Sequence, residues 1–164
     1  MDHSQPHSQP HSQYHRQSGN GWAAISLIVA LYLALGITYA LSIPLWEAPD
    51  EPAHFLYVLS IAETGQPPAP PAPQTASFWL NGYVTSSYEW HQAPLYYALA
   101  AGVVQLNRAW TLVPPFAGFP LVNPDFPFAY RVFQPAPSGI SEPHLVRLLG
   151  VALGALVVLT VWAL

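Results

Sequence analysis

Two long apolar runs constrain this chain more than any other feature. Residues 22–46 carry no charged side chain, and residues 145–164 carry only Arg147, near the start of the run. An α-helix rises 1.5 Å per residue, so runs of about 20 to 25 residues match a hydrocarbon core about 30 Å thick. We therefore predict an all-α membrane protein with two transmembrane helices, over residues 22–46 and 145–164.

The composition agrees with a membrane protein and excludes several other classes. Charged residues make up only 7% of the 164 residues, whereas soluble domains carry about 25%. The formal net charge is -4, with four arginines and no lysine, so no basic face is available and nucleic acid is not an expected partner. Cysteine is absent, which excludes disulfides, thiolate metal sites and cysteine nucleophiles.

The ends of the apolar runs carry further signals. Trp22 and Trp46 flank the first run, as expected of indoles that anchor in the headgroup region. Gly150 and Gly154 form a G-x-x-x-G pair that would let another helix approach the second run. A cleaved signal peptide ending at Ala40 is the alternative for the first run, but its apolar part would usually be 7–15 residues long and follow basic residues.

The segments outside the two runs are polar or rich in proline. Residues 1–21 repeat His-Ser-Gln-Pro and predict a disordered tail, with a weak metal-binding tail as the alternative. Residues 47–144 form a large loop with sixteen of the 19 prolines. Within it we predict a helix over 51–64, a Pro/Ala/Gln linker over 66–77, an interfacial helix over 95–106 and an extended loop over 111–143. A third span over 95–117 is the alternative to the interfacial helix.

The densest polar cluster directly follows the first run and contains Asp50, Glu51 and His54. Clustered carboxylates and a histidine at a membrane surface can divide the roles of base and acid in a proton transfer. A structural interpretation also stands, with Asp50 as a helix N-cap, Glu51 favouring the positive helix end and His54 as an interfacial hydrogen-bonding group. The E-x-x-H spacing of Glu51 and His54 also permits a divalent metal site if Glu89 or His91 adds ligands.

A second cluster, Tyr88 to Tyr97, combines Glu89 and His91 with several aromatic rings, including Tyr96. Aromatic faces beside polar groups suit sugar rings or lipid headgroups. An ordinary aromatic belt at the membrane boundary is the alternative interpretation.

The order of these elements resembles the N-terminal part of polytopic GT-C glycosyltransferases. The resemblance covers residues 22–164 and is to bacterial relatives of the protein mannosyltransferase and aminoarabinose transferase families. It rests on an apolar span followed by Pro-Asp-Glu-Pro-Ala-His-Phe, a Gly-x-x-Pro linker, His-Gln-Ala-Pro-Leu-Tyr-Tyr and Val-Arg-Leu-Leu-Gly on a second span. The chain departs from the family pattern in lacking the later spans and in its Pro/Phe-rich stretch at 111–143.

The resemblance implies sugar transfer from a polyprenyl-phosphate donor to an extracytoplasmic acceptor, which would be a glycan, a lipid or a protein. By motif position, Asp50 would be the catalytic base, with Glu51 as its assistant or alternative. His54, Glu89, His91, Tyr96 and Arg147 would bind substrate, with His54 orienting Asp50 or touching the donor phosphate and Arg147 facing the lipid phosphate. We expect no cofactor, with a divalent metal as the alternative.

The resemblance also implies an orientation and a place in the cell. The N-terminus would be cytoplasmic and the 47–144 loop extracytoplasmic, in a bacterial inner membrane, and the chain would be a fragment of a longer enzyme. Two rival functions remain open. One is a non-catalytic membrane module that binds a partner or lipid headgroups through its aromatic loop, and the other is a metal-binding membrane protein.

Overall fold

The computed structural model describes residues 19–46, 50–70, 79–80, 83–84, 89–118 and 139–164. This part of the chain contains four helices and one short β-ladder. The helices are α1 (Gly19–Ser42), α2 (Glu51–Thr64), α3 (Pro94–Trp110) and α4 (Glu142–Ala163). The strands β1 (Trp79–Leu80) and β2 (Tyr83–Val84) pair antiparallel, with Trp79 opposite Val84.

Within the described residues, α1 and α4 are the two helices long and apolar enough to cross a membrane, over Gly21–Ser42 and Glu142–Ala163. Few of the residues in these apolar stretches are buried inside the protein, so their side chains are available to contact lipid. The two helices run antiparallel, because Trp22 near the start of α1 contacts Trp162 near the end of α4, with ring centroids 4.3 Å apart. Both features are compatible with an integral membrane protein.

α1 and α4 pack closely where one helix presents a glycine. A Cβ on Gly36 would lie 2.8 Å from Val151 Cγ1, and a Cβ on Gly154 would overlap the Tyr32 phenol. Gly154 of the predicted G-x-x-x-G pair therefore does allow close helix approach. Gly150 instead faces Tyr96 of α3, because a Cβ on Gly150 would lie 3.8 Å from the hydroxyl oxygen of Tyr96.

α2 has the bounds that the sequence predicts. Pro52 occupies its first turn, where a missing N–H costs nothing. The helix ends at Gly65, which has φ +72° and whose N–H donates to the Ile61 carbonyl at 2.9 Å. Only glycine adopts this left-handed conformation without steric cost, so the Gly65 signal was a strong one.

α3 is longer than predicted and does not extend into a third span. It ends at Trp110 because Thr111 takes φ +53°, three residues before Pro114. Arg108 lies in its last turn and contacts Glu63 and Glu142 rather than a hydrocarbon layer. The alternative of a span over 95–117 is therefore wrong.

Three other boundaries differ from the sequence predictions. α1 begins at Gly19, inside the predicted tail, and ends at Ser42, before Pro44. α4 begins at Glu142, inside the predicted extended loop, because Ser141 and His144 form a reciprocal capping box. The histidine repeat before residue 19 and most of the 66–77 linker and the 111–143 loop lie outside the described residues.

The core lies beside α1 and α4, where α2 packs on α3. Small side chains on α3, Ala100, Ala101 and Val104, face larger ones on α2. Trp46 is also buried in this core, where its ring packs against Phe55 and Phe116 with centroids 5.6 Å away in each case. Its predicted role as a headgroup anchor is therefore wrong. The chain turns after Ser42 and places the indole in the buried core, against Phe55 of α2.

Candidate functional site

Arg147 ties the start of α4 to the end of α1 and the start of α2. Its five N–H groups donate to protein oxygens at 2.5 to 3.1 Å. Three of these bonds go to the carbonyl oxygens of Ala40, Ile43 and Pro44, and two go to the carboxylate of Glu51. The last carbonyls of a helix have no partner within the helix, so a cation there stabilises its end.

Glu51 is occupied by structural contacts. Its carboxylate binds Arg147 and also accepts the Trp46 N–H at 2.6 Å. The side chains of Glu51 and Arg147 are each only 17% exposed, so the pair is largely shielded from water. The sequence assigned Glu51 to catalysis and Arg147 to a lipid phosphate, and these assignments stay predictions. In the structure the two residues bind each other and fix the turn between α1 and α2.

Asp50 has the opposite environment, although it is the adjacent residue. It occupies the N-cap position of α2, but its side chain makes no capping hydrogen bond. Instead, Asp50 Oδ2 lies 3.4 Å from His54 Nε2, one helical turn away, and the Asp50 side chain is 58% exposed. The carboxylate is therefore accessible and is contacted on one side by an imidazole.

His54 connects Asp50 to α3. Its second ring nitrogen, Nδ1, lies 2.7 Å from the hydroxyl oxygen of Tyr97. The contacts form a line from a carboxylate through an imidazole to a phenol, in which each group can bond with the next. Two helices supply this line. His54 lies on α2, Asp50 is the N-cap residue of α2, and Tyr97 lies on α3.

Tyr97 is held firmly by its neighbours. Its ring stacks on Tyr57 with centroids 3.9 Å apart and planes 14° apart, and only 5% of Tyr97 is exposed. Tyr57 in turn donates its O–H to the Gln92 carbonyl at 3.2 Å. Burial raises the pKa of Tyr97 from 10.0 to about 12, and the nearby negative charge of Glu89 adds to the effect. The Tyr97 phenol therefore stays protonated at neutral pH.

A cavity of about 1080 Å³ adjoins this line of residues and is bounded by all four helices. Its wall includes apolar residues of both candidate spans, such as Leu35 and Val151. The polar side chains that line it include Asp50, Glu51, His54, Tyr96, Tyr97 and Arg147. A cavity with an apolar wall and a polar margin fits an amphiphile whose chain lies along the helices and whose head reaches α2.

The structure brings together most, but not all, of the residues that the sequence assigned to the site. Asp50, Glu51, His54, Tyr96 and Arg147 line the cavity. Glu89 is buried near Tyr97 and affects it by charge, without lining the cavity. His91 is exposed and contacts the ring of Trp90 with centroids 6.2 Å apart. Neither Glu89 nor His91 therefore reaches the cavity directly.

Sequence reasoning missed a second polar cluster that positions α4. The buried carboxylate of Glu142 accepts hydrogen bonds from Asn107, Arg108 and the Phe116 N–H at 2.9 to 3.5 Å. Asn107 also exchanges two hydrogen bonds with the backbone of Val113. These contacts join the end of α3 to the start of α4, five residues before Arg147. No local pattern signals the contacts of Glu142, because its partners are 26 to 35 residues away in the sequence.

The described residues contain no group of three or more histidine or acidic side chains placed to hold a metal ion. Glu51 and His54, the predicted ligand pair, point to different partners, Arg147 and Tyr97. Asp50 differs from Glu51 in being an exposed carboxylate at the margin of the cavity. Comparison of the chain with protein-family models, with curated proteins and with solved structures finds no match.

Proposed function

We propose that this chain is the N-terminal portion of a membrane glycosyltransferase of the GT-C type. The enzyme moves a sugar from a polyprenyl-phosphate donor to an acceptor glycan, lipid or protein. One observation carries the proposal: Asp50, contacted by His54, lies at the margin of a cavity that both candidate spans line. The motif order that resembles this family supports the same residue.

Asp50 acts as the base in this reaction. It takes the proton of the acceptor hydroxyl while that oxygen forms a bond to the anomeric carbon of the sugar. The bond between the anomeric carbon and the phosphate oxygen breaks, and its electron pair leaves with the lipid phosphate. General base catalysis by a positioned carboxylate contributes about 10² to 10⁴ in rate.

The reaction takes place on the extracytoplasmic side of a bacterial cell membrane. In this orientation the N-terminus is cytoplasmic, and α2 and α3 lie outside, at the surface of the bilayer. The family resemblance supports this orientation, and Arg16, which precedes α1 in the sequence, agrees with a cytoplasmic N-terminus. The donor's polyprenyl chain would lie in the membrane beside the apolar wall of the cavity.

The test compares two carboxylates on the same helix. Asp50→Asn and Glu63→Gln each remove one negative charge, but Glu63 lies at the far end of α2 and contacts Arg108. Membrane vesicles that hold the protein as its gene encodes it receive radiolabelled polyprenyl-phosphate mannose or aminoarabinose. We expect transfer of label by the wild type, a loss of about 10² or more for Asp50→Asn, and wild-type transfer for Glu63→Gln.

Two outcomes contradict the proposal. One is the absence of label transfer by the wild type with both donors. The other is unchanged transfer by Asp50→Asn, when the same vesicles contain equal amounts of membrane-inserted protein.

A non-catalytic membrane module is the second candidate, and exposed apolar residues on α3 favour it. Leu95 and Trp110, at opposite ends of this helix, are 73% and 66% exposed. A surface of this kind binds lipid headgroups or a membrane partner. In this case Asp50→Asn leaves binding to vesicles unchanged, whereas Trp110→Ser weakens it.

A further inference from the structure

The two nitrogens of His54 face partners of different chemistry. Nε2 faces the carboxylate of Asp50 at 3.4 Å, and Nδ1 faces the hydroxyl of Tyr97 at 2.7 Å. An ionised carboxylate can only accept a hydrogen bond, whereas a phenol can donate or accept. The Asp50 contact is therefore favourable only when Nε2 carries a proton.

In a neutral imidazole, one nitrogen donates and the other accepts. With the proton on Nε2, the lone pair of Nδ1 is left to accept a hydrogen bond, and Tyr97 is the group in reach. We propose that Tyr97 is a positioning residue, whose O–H donates to His54 Nδ1, selects the Nε2–H tautomer and thereby orients Asp50. This inference rests on the proposed function for its consequence in catalysis, but not for the tautomer itself.

Tyr97 is suited to this role because it is a fixed donor. Its ring stacks on Tyr57, with centroids 3.9 Å apart, and makes a T-shaped contact with Tyr96 at 5.5 Å. Burial and the charge of Glu89 keep its phenol protonated. A buried, packed phenol that stays protonated can donate to one fixed partner, and the second partner of a histidine sets which nitrogen carries the proton.

The contact matters because, among the described residues, the Asp50 side chain has an ion-pair contact with His54 and no other. Its side chain makes no capping bond and is more than half exposed, so the imidazole limits the positions that the carboxylate can adopt. A base misplaced by about 1 Å can lose about 10² in rate. Tyr97 thus acts on the reaction through His54, without touching substrate.

The test removes one hydroxyl and keeps the ring. Tyr97→Phe preserves the stack on Tyr57 but cannot donate to His54. Tyr57→Phe is the matched control, because it removes the hydroxyl of the other stacked ring, which bonds to the Gln92 carbonyl. Magic-angle-spinning NMR of ¹⁵N-histidine-labelled protein in lipid vesicles reports the protonation of each ring nitrogen. The His54 signals are assigned by their loss in His54→Asn.

We expect the wild type and Tyr57→Phe to show a protonated Nε2 and a bare Nδ1 at neutral pH. Tyr97→Phe should show a mixture of tautomers, because Nδ1 has lost its donor. If the wild-type spectrum shows the His54 proton on Nδ1, that result alone overturns the proposal. Unchanged signals in Tyr97→Phe overturn it as well.

Label transfer from the polyprenyl-phosphate donor supplies the second readout. We expect kcat of Tyr97→Phe to fall about 10²-fold at an unchanged KM, since a misplaced base affects the reaction step rather than ground-state binding. An unchanged kcat overturns the role in catalysis. Absence of transfer by the wild type, together with an Nε2–H tautomer that becomes a mixture in Tyr97→Phe, overturns the proposed function and supports the control of His54 by Tyr97.

Discussion

Asp50 and Glu51 are neighbours in the sequence, but the fold gives them different environments. Glu51 points to Arg147 and the Trp46 N–H, and is 17% exposed. Asp50 points to His54 and is 58% exposed. The difference arises because successive residues on a helix are about 100° apart around its axis. One carboxylate therefore faces the packed ends of α1 and α4, and the other faces the cavity margin and water.

We expect Glu51→Gln to lower the free energy of unfolding by about 3 kcal/mol. The change leaves the guanidinium of Arg147 largely buried without its anionic partner, and the loss of one partner of a buried pair costs about 3–5 kcal/mol. The measurement is unfolding in detergent micelles followed by helical circular dichroism. Glu63→Gln is the control, because Glu63 is 56% exposed and such pairs contribute less than about 1 kcal/mol. Equal losses for both variants would contradict a structural role for the Glu51 pair.

Tyr97 should make stability depend on pH in the alkaline range. Its pKa is about 12 in the folded protein, against 10.0 for an ordinary phenol. The unfolded chain thus releases this proton first as pH rises, so the free energy of unfolding falls between pH 10 and pH 12 and is unaffected by this group below pH 10. Tyr97→Phe should have a shallower fall over that range. A tyrosinate absorbance titration checks the cause, since the variant should lose one group that ionises near pH 12.

At the scale of elements, glycines decide how closely α1 and α4 approach. Gly36 lies against the branched side chain of Val151, and Gly154 lies against the ring of Tyr32. Helices in a membrane gain little from apolar burial, because lipid is equally apolar. Their association depends instead on close van der Waals packing at small residues. This contact places the end of α1 within reach of Arg147.

Gly36→Ala should destabilise the protein although alanine is the better helix former. The new Cβ would meet Val151 Cγ1 at 2.8 Å and Cγ2 at 3.2 Å, and a β-branched side chain has little freedom to move away. Overpacking costs about 1–3 kcal/mol, against a helix-propensity gain of up to about 1 kcal/mol. We expect a net loss of about 1 kcal/mol in micelle unfolding.

Gly102→Ala is the matched control for that substitution. Gly102 lies within α3 and has nothing within 4 Å of its virtual Cβ. Only the propensity gain applies there, so stability should rise by up to about 1 kcal/mol. A gain in both variants would mean that α1 and α4 do not pack as closely as Gly36 requires.

At the scale of the whole molecule, the antiparallel packing of α1 and α4 predicts that, if both cross a membrane, the start of α1 and the end of α4 lie on the same side. The chain has no cysteine, so a single introduced cysteine reports its own side. We expect a membrane-impermeant maleimide to label Gln66→Cys in intact cells. The same reagent should label Leu164→Cys only after permeabilisation. Both positions are exposed in the fold.

The labelling pattern has two informative alternatives. Labelling of Leu164→Cys alone in intact cells reverses the proposed orientation and keeps the two spans. Labelling of both positions in intact cells contradicts two membrane crossings, because residues 66 and 164 would then lie on one side.

Local signals account for the elements that the sequence predicted well. Pro52 and Gly65 marked both ends of α2, because a proline in the first turn and a left-handed glycine act within the helix itself. The start of α4 was misplaced by three residues, because His144 takes the role in the capping box that glutamate or glutamine usually has. Likewise, the Trp46 signal indicated a headgroup anchor, but contacts with Phe55 and Phe116 decide its place.

Part of the candidate site was also predictable, because some of its contacts join residues that are close in the sequence. Asp50 and His54 are one helical turn apart, so their contact follows from the sequence of α2 alone. Tyr97 is 43 residues from His54, and nothing in the local pattern distinguishes it from Tyr96. Only the packing of α3 on α2 selects which of the two adjacent phenols meets the imidazole.

By itself, the sequence determined the number of apolar helices that can cross a membrane, the bounds of α2 and the residues that cluster after α1. These depend on hydropathy, periodicity and end signals, which are properties of neighbouring residues. The tertiary structure alone decided that Glu51 pairs with Arg147, that Glu142 is buried against α3 and that His54 meets Tyr97. Each of these joins residues at least 35 positions apart, and such contacts form only when packed helices bring distant side chains together.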